Sequence, residues 1–209
     1  LSYFLVFILI LLYLIAMMDN YLNLILRAPV YDVAKETKLE FADNLTTKFS
    51  NNIWLKREDT QPSFSYKIRG AYYLITNLLE SKKVKGLVAA SAGNHAQGVS
   101  LSAEKLGLPA IIVMPKTTPE IKINAVRAMG AHVQLHGNTY DEASVLAKTI
   151  AKDKKFDLVP PYDDQYIIAG QGTVGMEILR QHKGNVDFIF LPVGGCLLYT
   201  SDAADDDHC

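Results

Sequence analysis

Short runs of β-branched and aliphatic residues alternate along this chain with longer amphipathic stretches. Ile53-Trp54-Leu55 precedes a loop and a helical pattern from Lys67 to about Ser81. Gly86–Ala90 precedes a small-residue loop and a helix-like Ala96–Leu106, and Ala110–Met114 leads into Pro119–Met129. Ala131–Leu135 leads into Tyr140–Lys152, and a helix-like Thr173–His182 is followed by the strand-like Asp187–Leu191. Strands alternating with helices of this length predict βαβ units and a mostly parallel sheet, so the fold class is α/β. Two helix starts carry their own signals: a proline in the first turn at Pro119-Glu120, and Thr139 as a cap before Asp141-Glu142. In such sheets ligands bind where a strand ends and a helix begins. Three segments have that placement: Lys56–Gly70, Ser91–Gly98 and Pro192–Gly195.

The two ends break the pattern. Leu1–Met18 is free of charge and apolar except for Ser2, just long enough for a membrane span. It lacks the basic flank and small-residue cleavage site of a signal peptide. We expect in-frame read-through upstream of a start at Met17 or Met18, with a membrane anchor as the alternative. Cys196–Asp205 (CLLYTSDAAD) matches the translation of a transposase adaptor used in sequencing libraries, so residues 196–209 are expected to be adaptor read-through. That divides the chain into 1–18, an informative 19–195, and 196–209.

Composition narrows the classes. At 209 residues, with 49% hydrophobic and 21% charged, the chain can bury a substantial core and is not disordered as a whole. Its net charge is −1, or +3 without the four tail aspartates, which gives no electrostatic basis for binding nucleic acid. Two cysteines, Cys196 and Cys209, make neither a disulfide scaffold nor a four-cysteine zinc site. His95, His132, His136 and His182 have no metal-ligand spacing, so no metal is expected.

The junction loops hold the candidate chemistry. In Ser91-Ala92-Gly93-Asn94-His95, small residues opening a helix let backbone N–H groups approach an anion such as a carboxylate. The same residues suit a Ser/Asn helix cap after a glycine turn, with His95 a partly exposed neighbour. Lys67 follows Ser63-Phe64-Ser65-Tyr66 at a loop-to-helix junction. A lysine there can form a Schiff base with a carbonyl cofactor if burial or nearby charge, from Arg57 or Arg69, lowers its pKa. By surface preference alone it is one exposed lysine among many. Pro192-Val193-Gly194-Gly195 looks like the start of an anion-binding loop or a plain tight turn. Lys56-Arg57-Glu58-Asp59 reads as a solvated charge run capping a strand. GxxxxGK[ST] does not occur.

Four longer motifs, in order, change the picture. KREDTQPSFSYKIRGAY (Lys56–Tyr72), SAGNHAQGVS (Ser91–Ser100), IVMPKTTPEIKINAVRAMGAHVQLHG (Ile112–Gly137) and VPPYDDQYIIAGQGTVGMEIL (Val159–Leu179) resemble the threonine dehydratases, specifically the biosynthetic threonine ammonia-lyase branch. RAPVYDVAKET (Arg27–Thr37) resembles that family's N-terminal helix region. The resemblance implies the type II pyridoxal-phosphate (PLP) fold, tryptophan synthase β-like, with two parallel-sheet α/β subdomains, here C-terminally truncated. It implies PLP as cofactor, L-threonine and also L-serine as substrates, and a cytoplasmic homo-oligomer in isoleucine biosynthesis. Lys67 then matches the lysine that holds PLP, and Asn94 the asparagine that hydrogen-bonds the cofactor's phenolic oxygen. Ser91, Ala92, Gly93, Asn94 and His95 match the loop that receives the substrate carboxylate, and Gly194 and Gly195 the first half of the phosphate loop. Tyr66 stands where the family usually has Phe, and Cys196-Leu197 where two more loop glycines belong. Leu1–Cys209 by itself is therefore expected to be insoluble or inactive. The rival readings are a catabolic serine/threonine dehydratase, a serine racemase, and a membrane-anchored, non-catalytic amino-acid-binding module.

Overall fold

The structure, a computed structural model, describes residues 20–191. The apolar run Leu1–Met18, the candidate phosphate loop and the acidic tail lie outside the described residues. The strands are β1 (Leu39–Phe41), β2 (Trp54–Lys56), β3 (Leu87–Ala90), β4 (Ala110–Met114), β5 (His132–Leu135) and β6 (Asp157–Leu158). The helices are α1 (Asp43–Phe49), α2 (Lys67–Ser81), α3 (Asn94–Lys105), α4 (Glu120–Ala128), α5 (Tyr140–Lys154) and α6 (Gln165–Gln181). Strands β1 and β2 pair antiparallel, while β3–β6 form a parallel sheet in the order β5-β4-β3-β6.

Period-two alternation explains why β3 and β4 read as continuous apolar runs. Leu87 and Ala89 of β3, with Ile112 and Met114 of β4, join the core under α2, α3, α4 and α6. Val88, Ala90 and Val113 point the other way, onto Ala143, Ala147 and Ile150 of α5. Both faces are covered, as parallel sheets require.

Most predicted elements stand within a residue or two, because their signals are local. Helix α2 and strand β4 span the predicted residues. Thr139 caps α5 in a capping box, its hydroxyl accepting from the Glu142 N–H while the Glu142 carboxylate accepts from the Thr139 N–H. Pro119 is the N-cap of α4, one position before the first turn in which it was expected. Other differences have physical causes. Helix α6 begins eight residues before the expected Thr173, at an Asp164 cap whose side chain accepts from the Tyr166 and Ile167 N–H groups. Its early glycines look like helix breakers in sequence but serve close packing. The expected strand Asp187–Leu191 is not a strand; it has no ladder partner among the described residues, and Phe188 and Phe190 are 81% and 92% exposed. The Arg27–Thr37 segment holds only a 3₁₀ turn, Val30–Asp32, after helical residues 20–27.

Helices α2 and α6 cross backbone on backbone. A Cβ on Gly170 would lie 2.6 Å from Gly70 Cα and 2.8 Å from the Arg69 carbonyl oxygen. Neither atom is a flexible side-chain end, so Gly170→Ala is expected to destabilise the protein by about 1–3 kcal/mol through overpacking. Gly175, in the same helix with nothing within 4 Å of its would-be Cβ, is the control. There Gly→Ala should stabilise by roughly 0.5–1 kcal/mol, so urea unfolding of the two variants should move the midpoint in opposite directions.

Candidate active site

Two helix starts converge at the carboxyl end of β3. The Ser91–Gly93 loop leaves that strand with the Ser91 N–H donating to the Val113 carbonyl at 3.2 Å and the Gly93 N–H donating to the Ser91 hydroxyl at 3.2 Å. Gly93 is the N-cap of α3 and makes no side-chain cap, so the Ser/Asn cap geometry is not what forms here. The first N–H groups of α3 have no acceptor within their own helix. Asn94 is half-buried, and its side-chain amide makes no hydrogen bond among the described residues. One turn later, Gly98 rests on the start of α2: its would-be Cβ lies 3.0 Å from the Lys67 carbonyl carbon and 3.0 Å from the Ile68 nitrogen. That contact sets Lys67 beside the SAGNH loop, and only glycine leaves room for it.

Lys67 opens α2 and is 2% exposed, contrary to the ordinary expectation for a lysine. Three residues before it, Phe64 holds a left-handed backbone (φ 56°) with its ring exposed, a strained conformation for a bulky residue. His95 is not the partly exposed neighbour expected from composition; it is 1% exposed, its Nε2 3.1 Å from the Val159 carbonyl oxygen. Burial first, and then the positive charge of Lys67, push its pKa down from 6.5 to about 3. Unfolded, His95 binds its proton near 6.5; folded, only near 3. Stability is therefore complete above 6.5 and falls as pH drops through that value toward 3, with a limiting slope of about 1.4 kcal/mol per pH unit. Urea unfolding between about pH 7 and 5 should show this slope, and His95→Gln should flatten it.

Below Lys67 lies an ion-pair network that the sequence pattern did not reveal. The Arg69 guanidinium is fully buried. It donates to both Glu58 oxygens at 2.9 and 2.8 Å, to Glu177 Oε1 at 2.6 Å, to the Thr173 hydroxyl at 3.0 Å and to the Lys35 carbonyl at 3.1 Å. Lys56 Nζ approaches the other Glu177 oxygen at 2.6 Å, and the Tyr31 hydroxyl donates to Glu177 Oε1 at 2.8 Å. Burial alone would raise the Glu177 pKa, but hydrogen bonds from Arg69 and Lys56 outweigh it and hold the carboxyl below the usual carboxylate range. The Lys56–Asp59 run is thus only half solvated: Lys56 and Glu58 face inward, while Arg57 pairs with Glu40 and Asp59 at the surface. Both arginines considered as sources of charge for Lys67 are neutralised by carboxylates. One sequence signal existed: Glu177 is the sole acid in α6, a helix rich in apolar residues and glycine.

The donor set suits an aldehyde cofactor carrying an anionic group. It offers a buried primary amine, an adjacent uncommitted amide and a helix N-terminus with open N–H groups. Gly194 and Gly195 lie outside the described residues. Among the described residues no helix is long and apolar enough to cross a membrane.

A parallel α/β sheet with a buried lysine beside a helix-opening loop defines a class of cofactor-dependent enzyme. Residues 30–201 match the family model for pyridoxal-phosphate dependent enzymes, and the chain belongs to that family. Within it, the chain is similar to biosynthetic threonine dehydratases. The chain is 53% identical over 185 residues to threonine dehydratase 1 biosynthetic, chloroplastic, of Solanum lycopersicum, a match covering 88% of this chain and 30% of that protein. The solved processed form of threonine deaminase isoform 2 from the same plant superposes with a TM-score of 0.76 at 49% identity, covering 80% of this chain and 49% of that one. Maize serine racemase gives 0.72 at 29% identity, covering 78% and 49%. The chain thus spans about a third of the length of the curated relatives it matches.

Proposed function

We propose that the protein carrying this chain is a threonine ammonia-lyase, converting L-threonine to 2-oxobutanoate and ammonia, and L-serine to pyruvate by the same route. The observation that carries this reading is the burial of Lys67 against the Ser91–His95 loop, fixed by the Gly98 contact. We read the fold as the type II arrangement of two α/β subdomains in a homo-oligomer, of which residues 19–195 supply the first part. PLP, when bound, supplies a conjugated ring that takes up the electron pair left at Cα.

The chain's own residues would act as follows. The Lys67 amine holds the cofactor aldehyde and, once displaced by substrate, is the base that takes the α-proton. The Asn94 amide donates to the cofactor's phenolic oxygen. The open N–H groups at the start of α3 receive the substrate carboxylate, aided by the helix dipole. Gly194 and Gly195 hold the phosphate. The burial of the Lys67 side chain keeps bulk water from the amine, so its proton goes to and from substrate.

The test is to incubate the full-length protein with L-threonine and with L-serine, following ammonia, 2-oxobutanoate and D-serine. Ammonia with 2-oxobutanoate from threonine is expected. D-serine formation without ammonia would instead favour a racemase, to which the solved maize enzyme is the structural pointer.

A further inference from the structure

The proposed chemistry uses the backbone of the Ser91–His95 loop and leaves the His95 imidazole without a task. Yet that ring is among the most buried polar groups in the protein, and its surroundings are specific. A carbonyl oxygen can only accept, so Nε2, 3.1 Å from the Val159 oxygen, must carry a proton. A neutral ring has one N–H, so Nδ1 is left as an acceptor. The ring sits on the same helix as Gly98 and three residues before it, hence on the face that meets the Lys67 backbone. Burial and the lysine charge both oppose protonation of the ring. Val159 in turn is tied to β3, its N–H donating to the Val88 carbonyl at 2.9 Å.

We propose that His95 is a positioning residue for Lys67: locked as the Nε2–H tautomer by the Val159 carbonyl, it keeps an uncharged imidazole beside the amine and binds lysine, loop and strand end into one unit. A charged ring there would repel the lysine. Loss of the N–H would leave the Val159 carbonyl without its donor and free the loop to shift against α2. The inference rests on Lys67 being the cofactor lysine.

The test uses the full-length protein stripped of cofactor, with pyridoxal 5'-phosphate as the probe. Borohydride trapping followed by peptide mass spectrometry gives the rate at which Lys67 is labelled. His95→Gln keeps an uncharged N–H donor, whereas His95→Phe keeps a ring of similar volume and has neither donor nor acceptor. Labelling is expected to slow about tenfold in His95→Phe, the worth of one buried hydrogen bond, and to stay within about threefold of wild type in His95→Gln. Nitrogen NMR of the unaltered protein should show a protonated Nε2 and a bare Nδ1 at neutral pH. His95→Phe labelled at the wild-type rate, His95→Gln slowed as much as His95→Phe, or a protonated Nδ1 would each overturn the proposal. If His95→Phe fails to fold, the Gln variant and the NMR tautomer decide. Wild-type protein labelled elsewhere but not at Lys67 would bring down the cofactor-lysine reading and this proposal together.

Discussion

Replacing Lys67 by alanine in the full-length protein is expected to lower ammonia release from threonine by at least the 10²–10⁴-fold or so that a positioned general base contributes. The loss should be larger still because the same amine is proposed to hold the cofactor. Lys67→Arg separates the two ways in which a cation could act here. It preserves the positive charge, but a guanidinium neither condenses with an aldehyde nor gives up its proton near neutral pH. Both variants should therefore be inactive, and only the lysine should show cofactor absorbance that survives gel filtration. The structural basis is that Lys67 is nearly inaccessible, so no solvent-exposed lysine can substitute for it. Normal turnover by Lys67→Ala would remove the lysine from the mechanism and the ammonia-lyase reading with it.

Arg69→Ala is expected to destabilise the fold by about 3–5 kcal/mol, the usual effect of removing one partner of a buried ion pair. The guanidinium ties three parts of the chain together: the Lys35 carbonyl, Glu58 before α2, and Thr173 and Glu177 on α6. Without it the Glu58 and Glu177 carboxylates lose their shared cation, and Glu177 keeps only Lys56 and Tyr31. Arg69→Lys should recover little, since an ammonium cannot make the forked contact to both Glu58 oxygens while reaching Glu177. Combining Arg69→Ala with Glu177→Gln should cost less than the sum of the two, because the second change removes the charge that the first left stranded. Urea unfolding of these variants and of Glu177→Gln alone measures each effect. A loss below about 1 kcal/mol for Arg69→Ala would show that the network is solvated in practice, as surface pairs are.

The site and the fold differ in how much of each the sequence discloses. Helix α2, strand β4 and the Thr139 cap were legible because each depends on residues within a few positions of one another: a 3.6-residue period, a β-branched run, a hydroxyl three residues before a glutamate. The helix opening beside SAGNH was legible for the same reason, though its start at Asn94 instead of Ala96 was not. Lys67 was a different case. Its place at a loop-to-helix junction made it a candidate, but surface preference read it as one exposed lysine among many, and the order of four long motifs singled it out. His95 and the Lys56–Asp59 run were misjudged by local reading, since surface preference assigns such residues to solvent.

The sequence by itself determined the α/β class, most element boundaries and the family motifs, since those are set by short-range periodicity and by residue order. Tertiary structure alone decided which charges are buried. Glu177 reaches Arg69 across 108 residues, and the His95 ring reaches Val159 across 64. A charge or imidazole leaves water only when such a distant partner compensates its lost hydration, and no local pattern encodes that partner. The same holds for Asp187–Leu191, whose apolar run has strand character but becomes a strand only where a neighbour supplies its hydrogen bonds.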